Sequence, residues 1–122
     1  MVTQTKPRAL VIGNFRGRAG IIDALRGSPF DIVEATEGRR GIKHVLEDAP
    51  SVVIISGSTR DAGHLSLLRA IRCLTSVPIL VIGSGQETCA NEFLFHGANG
   101  FVPYCRRSEM TSVYINTLLS RN

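Results

Sequence analysis

The sequence predicts a three-layer α/β domain in which five parallel strands alternate with five helices. Apolar runs of strand length recur along the chain, and several are nearly continuous in aliphatic residues, as strands buried on both faces must be. The stretches between them carry apolar residues at i, i+3, i+4 and i+7, the spacing of a helix with one buried stripe. Strands joined by helices are joined by right-handed crossovers, so the sheet is parallel and its helices cover both faces.

The elements follow in order. After an opening segment, residues 1–7, expected to be a tail, "ALVIG" (Ala9 to Gly13) is the first strand. Ala19, Ile22 and Leu25 mark the first helix, and "FDIVEA" (Phe30 to Ala35) is the second strand. Ile42, Val45, Leu46 and Ala49 define the stripe of the second helix, and "SVVIIS" (Ser51 to Ser56) is the third strand. Leu67, Leu68, Ile71 and Leu74 keep one face of the third helix, which leads into "PILVIG" (Pro78 to Gly83). Cys89, Ala90, Phe93 and Leu94 mark a fourth helix stopped at Gly97, a residue suited to the left-handed turn that ends helices. "GFVP" (Gly100 to Pro103) is the fifth strand, and Met110, Val113, Tyr114, Thr117 and Leu118 mark the last helix.

Two architectures of this size satisfy that order, the flavodoxin-like sheet with strand order 2-1-3-4-5 and half of a Rossmann domain. In both, ligands bind beyond the carboxyl ends of the strands. That rule singles out Gly13 to Arg18, Glu37 to Arg40, Ser56 to Asp61, Gly83 to Gln86 and Tyr104 to Arg107.

Composition sets the remaining bounds. The 122 residues, 43% of them hydrophobic, suit one domain over residues 1–122 with a core of its own. No apolar run approaches the roughly 18 residues that cross a bilayer, and the first residues lack the apolar middle of a secretory signal, so a cytoplasmic location is expected. Cys73, Cys89 and Cys105 are odd in number and form no C-x-x-C pair. They read as reduced thiols, with neither a disulfide framework nor a metal site. A net charge of +4 permits an acidic partner but is too small to make direct nucleic-acid binding an expectation. The glycine-rich Gly13–Gly20 segment matches neither G-x-G-x-x-G nor the Walker loop.

"PSVVIISGSTRDAGHLSLLRAIR", followed by "VPILVIGSG" and "GANGFVPY", resembles the receiver domain of bacterial response regulators, in register over nearly the whole chain. The resemblance implies the flavodoxin-like order. It also implies a phosphoryl-transfer pocket: an acceptor aspartate ending the third strand, an acidic pair ending the first, a hydroxyl residue ending the fourth and a lysine ending the fifth. Such chemistry needs carboxylate oxygens for Mg²⁺ and a cation against the phosphoryl charge. At each of these places this chain departs from the family: the acidic pair falls on Gly13 and Asn14, the acceptor on Ser56, the hydroxyl position on Gly83 and the lysine on Tyr104.

A degenerate pocket of this kind is expected to bind no Mg²⁺ or other cofactor and to catalyse nothing. Ser56 reads as a small polar residue closing a strand, its hydroxyl bonded to nearby backbone, because no pocket position supplies a base to activate it. The same end of the sheet has turned basic: Arg16, Arg18, Arg39, Arg40, Arg60, Arg106 and Arg107 stand against Glu37, Asp61 and Glu87. Arg16, Arg18, Arg60 and Arg106 form a candidate rim for an anion, the alternative being arginines scattered in solvent. Phe93 and Phe95 lie about 200° apart on a helix, so one of them leaves the buried stripe. Because receivers make their partner or dimer contact through the face of the fourth helix, fifth strand and fifth helix, the resemblance makes Phe95, Phe101, Tyr104 and Tyr114 the candidate surface for a protein partner or a second copy. The resemblance thus implies a pseudo-receiver acting by protein contact in bacterial signalling, with transcription control and a further output domain compatible with it. The alternative function is a sensor of a small anion.

Overall fold

The computed structural model describes residues 7–13, 15–27, 29–56, 63–83, 90–102, 113, 116 and 117, with backbone alone for 15–18, 24 and 90. Strands β1 (Arg8–Gly13), β2 (Asp31–Ala35), β3 (Val52–Ser56), β4 (Ile79–Ile82) and β5 (Gly100–Val102) alternate with helices α1 (Phe15–Leu25), α2 (Gly38–Asp48), α3 (His64–Arg72) and α4 (Ala90–Phe95). The strands form one sheet of order β2-β1-β3-β4-β5, and every neighbouring pair is parallel. This is the flavodoxin-like order, not the Rossmann one.

The aliphatic runs explain the centre of the sheet. Val52 to Ser56 and Ile79 to Ile82 are buried throughout, and alternate side chains enter opposite layers. Ala9, Val11, Val52, Ile54, Leu80, Ile82 and Val102 pack with Ile21 and Leu25 of α1. On the other face, Leu10, Ile12, Val53, Ile55, Ile79 and Val81 pack with Val45 of α2, Leu67, Leu68 and Ile71 of α3, and Phe93 of α4. Each buried Val, Leu or Ile among them contributes about 2 kcal/mol by leaving water.

Helix phases differ from the spacing-based expectation in ways the packing explains. In α1 the face on the sheet is Ile21 and Leu25, while Ala19 is exposed and Ile22 half-buried. In α2 the buried positions are Gly38, Gly41 and Val45, and Leu46 is 65% exposed. A Cβ at Gly41 would collide with the Ile12 side chain, so α2 seats its glycine side against β1. Apolar spacing cannot register a buried glycine, and the expected stripe was rotated accordingly. Ala49 is the exposed left-handed residue ending that helix. Leu74 falls beyond the last turn of α3 and is exposed, as is Leu94 on the short α4. Val113 and Thr117 are helical and exposed; Met110, Tyr114, Leu118 and Cys89 lie outside the described residues. Pro7, expected in the tail, already accepts a hydrogen bond from the Asp31 N–H at 2.8 Å.

The turn from α4 into β5 shows why "GANG" reads as it does. The Gly97 N–H donates to the Leu94 carbonyl and the Ala98 N–H to the Phe93 carbonyl, the paired bonds that close a helix through a left-handed residue. Gly97 has φ of 111°, which glycine adopts without strain. Asn99 then binds the start of β4 from both directions, its N–H donating to the Ile79 carbonyl at 2.8 Å and its Oδ1 accepting from the Ile79 N–H at 2.9 Å.

Arg72, the last residue of α3, joins this turn to the rest. Its Nε donates to the Gly97 carbonyl at 2.9 Å and its Nη2 to Asn99 Oδ1 at 2.6 Å, while Nη1 donates to the Thr75 and Val77 carbonyls at 3.0 Å each. All four acceptors are uncharged oxygens. Burial lowers the guanidinium pKa from its ordinary value, yet an arginine stays charged at neutral pH. A single cation therefore holds the end of α3, the loop into β4 and the turn into β5.

Candidate functional site

The register brings the ends of the central strands side by side. Gly13 pairs with Ser56 across β1 and β3, Ser56 pairs with Ile82 across β3 and β4, and the Gly83 N–H donates to the Val102 carbonyl of β5 at 2.8 Å. Gly13, Ser56 and Gly83 thus share the carboxyl edge of the sheet. Ser56 is 5% exposed and is the buried polar side chain of the core among the described residues. Asn14 and Tyr104 lie outside the described residues.

What this edge offers chemically follows from its donors. The described positions supply one hydroxyl and main-chain groups, with no carboxylate at 13, 56 or 83. Among the described residues, no group of three or more His, Cys, Asp or Glu is placed to hold a metal ion. A small hard cation with near-octahedral demands is held by carboxylates, so this donor set does not fit Mg²⁺. Nor do the described residues at positions 13, 56 and 83 include a base or a cation for acyl-phosphate chemistry.

Of the charged residues expected at this end of the sheet, those at the start of α2 are described. Glu37 precedes the helix, and its Oε2 accepts a 3.1 Å hydrogen bond from Arg39 Nε; the ion pair is mostly exposed on the arginine side, where such pairs contribute little. Arg40 is exposed. The candidate rim falls outside the described residues: the side chains of Arg16 and Arg18, and all of Arg60 and Arg106.

The candidate surface divides. Phe95 is 85% exposed, its ring edge-on to His96 with centroids 5.2 Å apart. Phe93 is the buried partner, 7% exposed. Phe101 is half-buried and stacks on Phe93 with centroids 5.2 Å apart and planes 27° apart. It therefore couples β5 to α4 from within, on the side of α2, α3 and α4. His64, at the first turn of α3, meets the same Phe93 ring edge-on at 6.1 Å. Tyr104 and Tyr114 lie outside the described residues.

Neither the Arg72 clamp nor His64 was singled out by sequence reasoning. A helix-ending arginine twenty-odd residues ahead of a Gly-x-Asn turn was the available signal for the clamp, and only the fold brings the two together.

No protein-family model matches the sequence, and no curated protein matches it. Solved structures do match. A two-component response regulator from Clostridium difficile superposes with a TM-score of 0.79 at 16% identity, covering 95% of this chain and 98% of its own. A CheY-like response regulator receiver domain protein from Methanospirillum hungatei gives 0.77 at 14% identity, with 96% of each chain covered. The fold is the receiver fold. A DNA-binding response regulator of the LuxR family from Staphylococcus aureus gives 0.73 at 19% identity, covering 91% of this chain and 98% of its own. At these identities the likeness of the receiver fold is one of architecture, and the chemistry has to be argued from the residues at its carboxyl edge.

Proposed function

We propose that this chain is a receiver-fold signalling domain that works without phosphorylation, by contact of its surface with a protein partner or a second copy. The observation that carries the reading is the register of Gly13, Ser56 and Gly83. These are the positions where phosphoryl transfer needs an acid, an acceptor carboxylate and a hydroxyl, and two of them here have no side chain. The fold is kept while the groups that would drive a phosphoryl switch are not. Regulation then rests on differential binding of some other partner, since a state that nothing prefers is not populated by a ligand. Service as the regulatory domain of a transcription regulator is consistent with the solved DNA-binding neighbour, by analogy of fold.

Phe95 is the residue on which contact is staked. It is a large apolar side chain left in water, and the aromatic neighbour two positions away fills the core instead. Phe95→Glu is expected to leave the unfolding midpoint nearly unchanged, because exposed substitutions stay within about 0.5 kcal/mol. It is expected to weaken self-association or partner binding about tenfold or more, as loss of an aromatic anchor does. Sedimentation of both proteins over a concentration series reads the self-association arm. Identical monomers at every concentration rule out the second copy, and unchanged partner affinity rules out Phe95 as the anchor.

A further inference from the structure

β1 ends in a conformation that glycine alone adopts freely, and the space beside it is already filled. Gly13 has φ of 157°, where an L side chain is strained. An ideal Cβ built on it would overlap the Ser56 carbonyl oxygen and lie 2.8 Å from the Ser56 carbonyl carbon. The obstacle is main chain, and β3 is held on its far side by β4 through the Ser56–Ile82 pairing. Other glycines differ. At Gly41 the obstacle is the end of the Ile12 side chain, and at Gly20 there is nothing within 4 Å.

We infer that the sheet's own backbone closes position 13 to any side chain, so that carboxylates returned to the receiver positions do not rebuild a Mg²⁺ site around it. This goes past the proposed function. There the acidic groups are missing; here the room for one of them is missing as well. The closure stands or falls independently of whether the surface binds a partner. Its chemical consequence is that β1 and β3 meet by main-chain contact at the place where a receiver-type pocket needs a carboxylate.

Thermal unfolding of Gly13→Ala against Gly20→Ala is the first test. Gly20→Ala is expected to hold or raise the midpoint, since alanine suits an exposed helical site. Gly13→Ala is expected to lower it by on the order of 10 °C. Adding Ser56→Gly to Gly13→Ala is expected to give no rescue, because the clash is with the carbonyl of residue 56 and not with its side chain. Gly41→Ala, by contrast, is expected to recover in part with Ile12→Val, which removes the δ1 methyl nearest the added Cβ. The second test titrates Mn²⁺ into Gly13→Asp/Asn14→Asp/Ser56→Asp and follows the free-ion paramagnetic signal. No uptake above that of the unaltered chain is expected, and failure of that variant to fold counts for the closure only where Asn14→Asp/Ser56→Asp, which keeps Gly13, still folds, because Ser56 is itself buried. A Gly13→Ala midpoint equal to that of Gly20→Ala, rescue by Ser56→Gly, or saturable Mn²⁺ uptake by the folded triple variant each overturns the inference. Phosphoryl labelling of the unaltered chain sinks the proposed function and leaves these comparisons standing.

Discussion

Arg72→Ala is expected to cost about 3 kcal/mol of folding stability, although the residue sits at a helix end and is not fully buried. Its guanidinium makes four hydrogen bonds, at 2.6 to 3.0 Å, to Gly97, Asn99, Thr75 and Val77. Alanine leaves three carbonyls without that donor, and water replaces only part of the loss. Arg72→Lys is expected to recover less than half, because a single ammonium cannot span acceptors that a planar fork reaches together. Asn99→Ala removes the shared Oδ1 acceptor, so its loss and that of Arg72→Ala should sum to more than the double variant shows. Urea unfolding at constant slope measures all three. Amide exchange adds a local reading: the Asn99 and Ile79 N–H groups should lose protection before the centre of β3 does. A loss below about 1 kcal/mol for Arg72→Ala would remove the clamp from this account.

Phe93→Ala is expected to cost about 3 to 4 kcal/mol, and Phe95→Ala within about 0.5 kcal/mol. The two residues have the same chemistry and stand two positions apart, so the contrast isolates position from side-chain type. Phe93 is 7% exposed, with Phe101 stacked on one side and His64 edge-on, and its removal opens a cavity where α4, β5 and α3 meet. The expected consequence beyond stability is release of α4, whose six residues are too few to stay helical unaided. Circular dichroism and urea unfolding of both variants decide it. Equal losses would mean that the division of the two rings between core and surface is wrong.

Much of the fold was legible because its strongest signal is local. A run such as Val52 to Ile55 is apolar on both faces, and that pattern has few meanings in a chain whose intervening segments have helical spacing. The strand order needed the resemblance, because composition and spacing left two topologies open. Helix faces were less legible: Leu46 looked like part of a stripe, but the buried positions of α2 are Gly38, Gly41 and Val45, and Gly41 lets the helix approach Ile12. At the site, residue types and strand ends were readable, and the register then placed Gly13 beside Ser56. The crowding at Gly13 was not readable, because it depends on the distance between two main chains. The Arg72 clamp was hidden for the same reason, three of its four acceptors being main-chain carbonyls that no residue type announces.

The central claim is that the carboxyl edge of this sheet carries no phosphoryl switch. Incubation of the unaltered chain with Mg²⁺ and radiolabelled acetyl phosphate tests it most directly, with Ser56→Ala run alongside. No label above background is expected on either protein, with amide spectra at Gly13, Ser56 and Gly83 unmoved by Mg²⁺. Stoichiometric label that disappears in Ser56→Ala, or Mg²⁺-dependent shifts confined to those three amides, would contradict it.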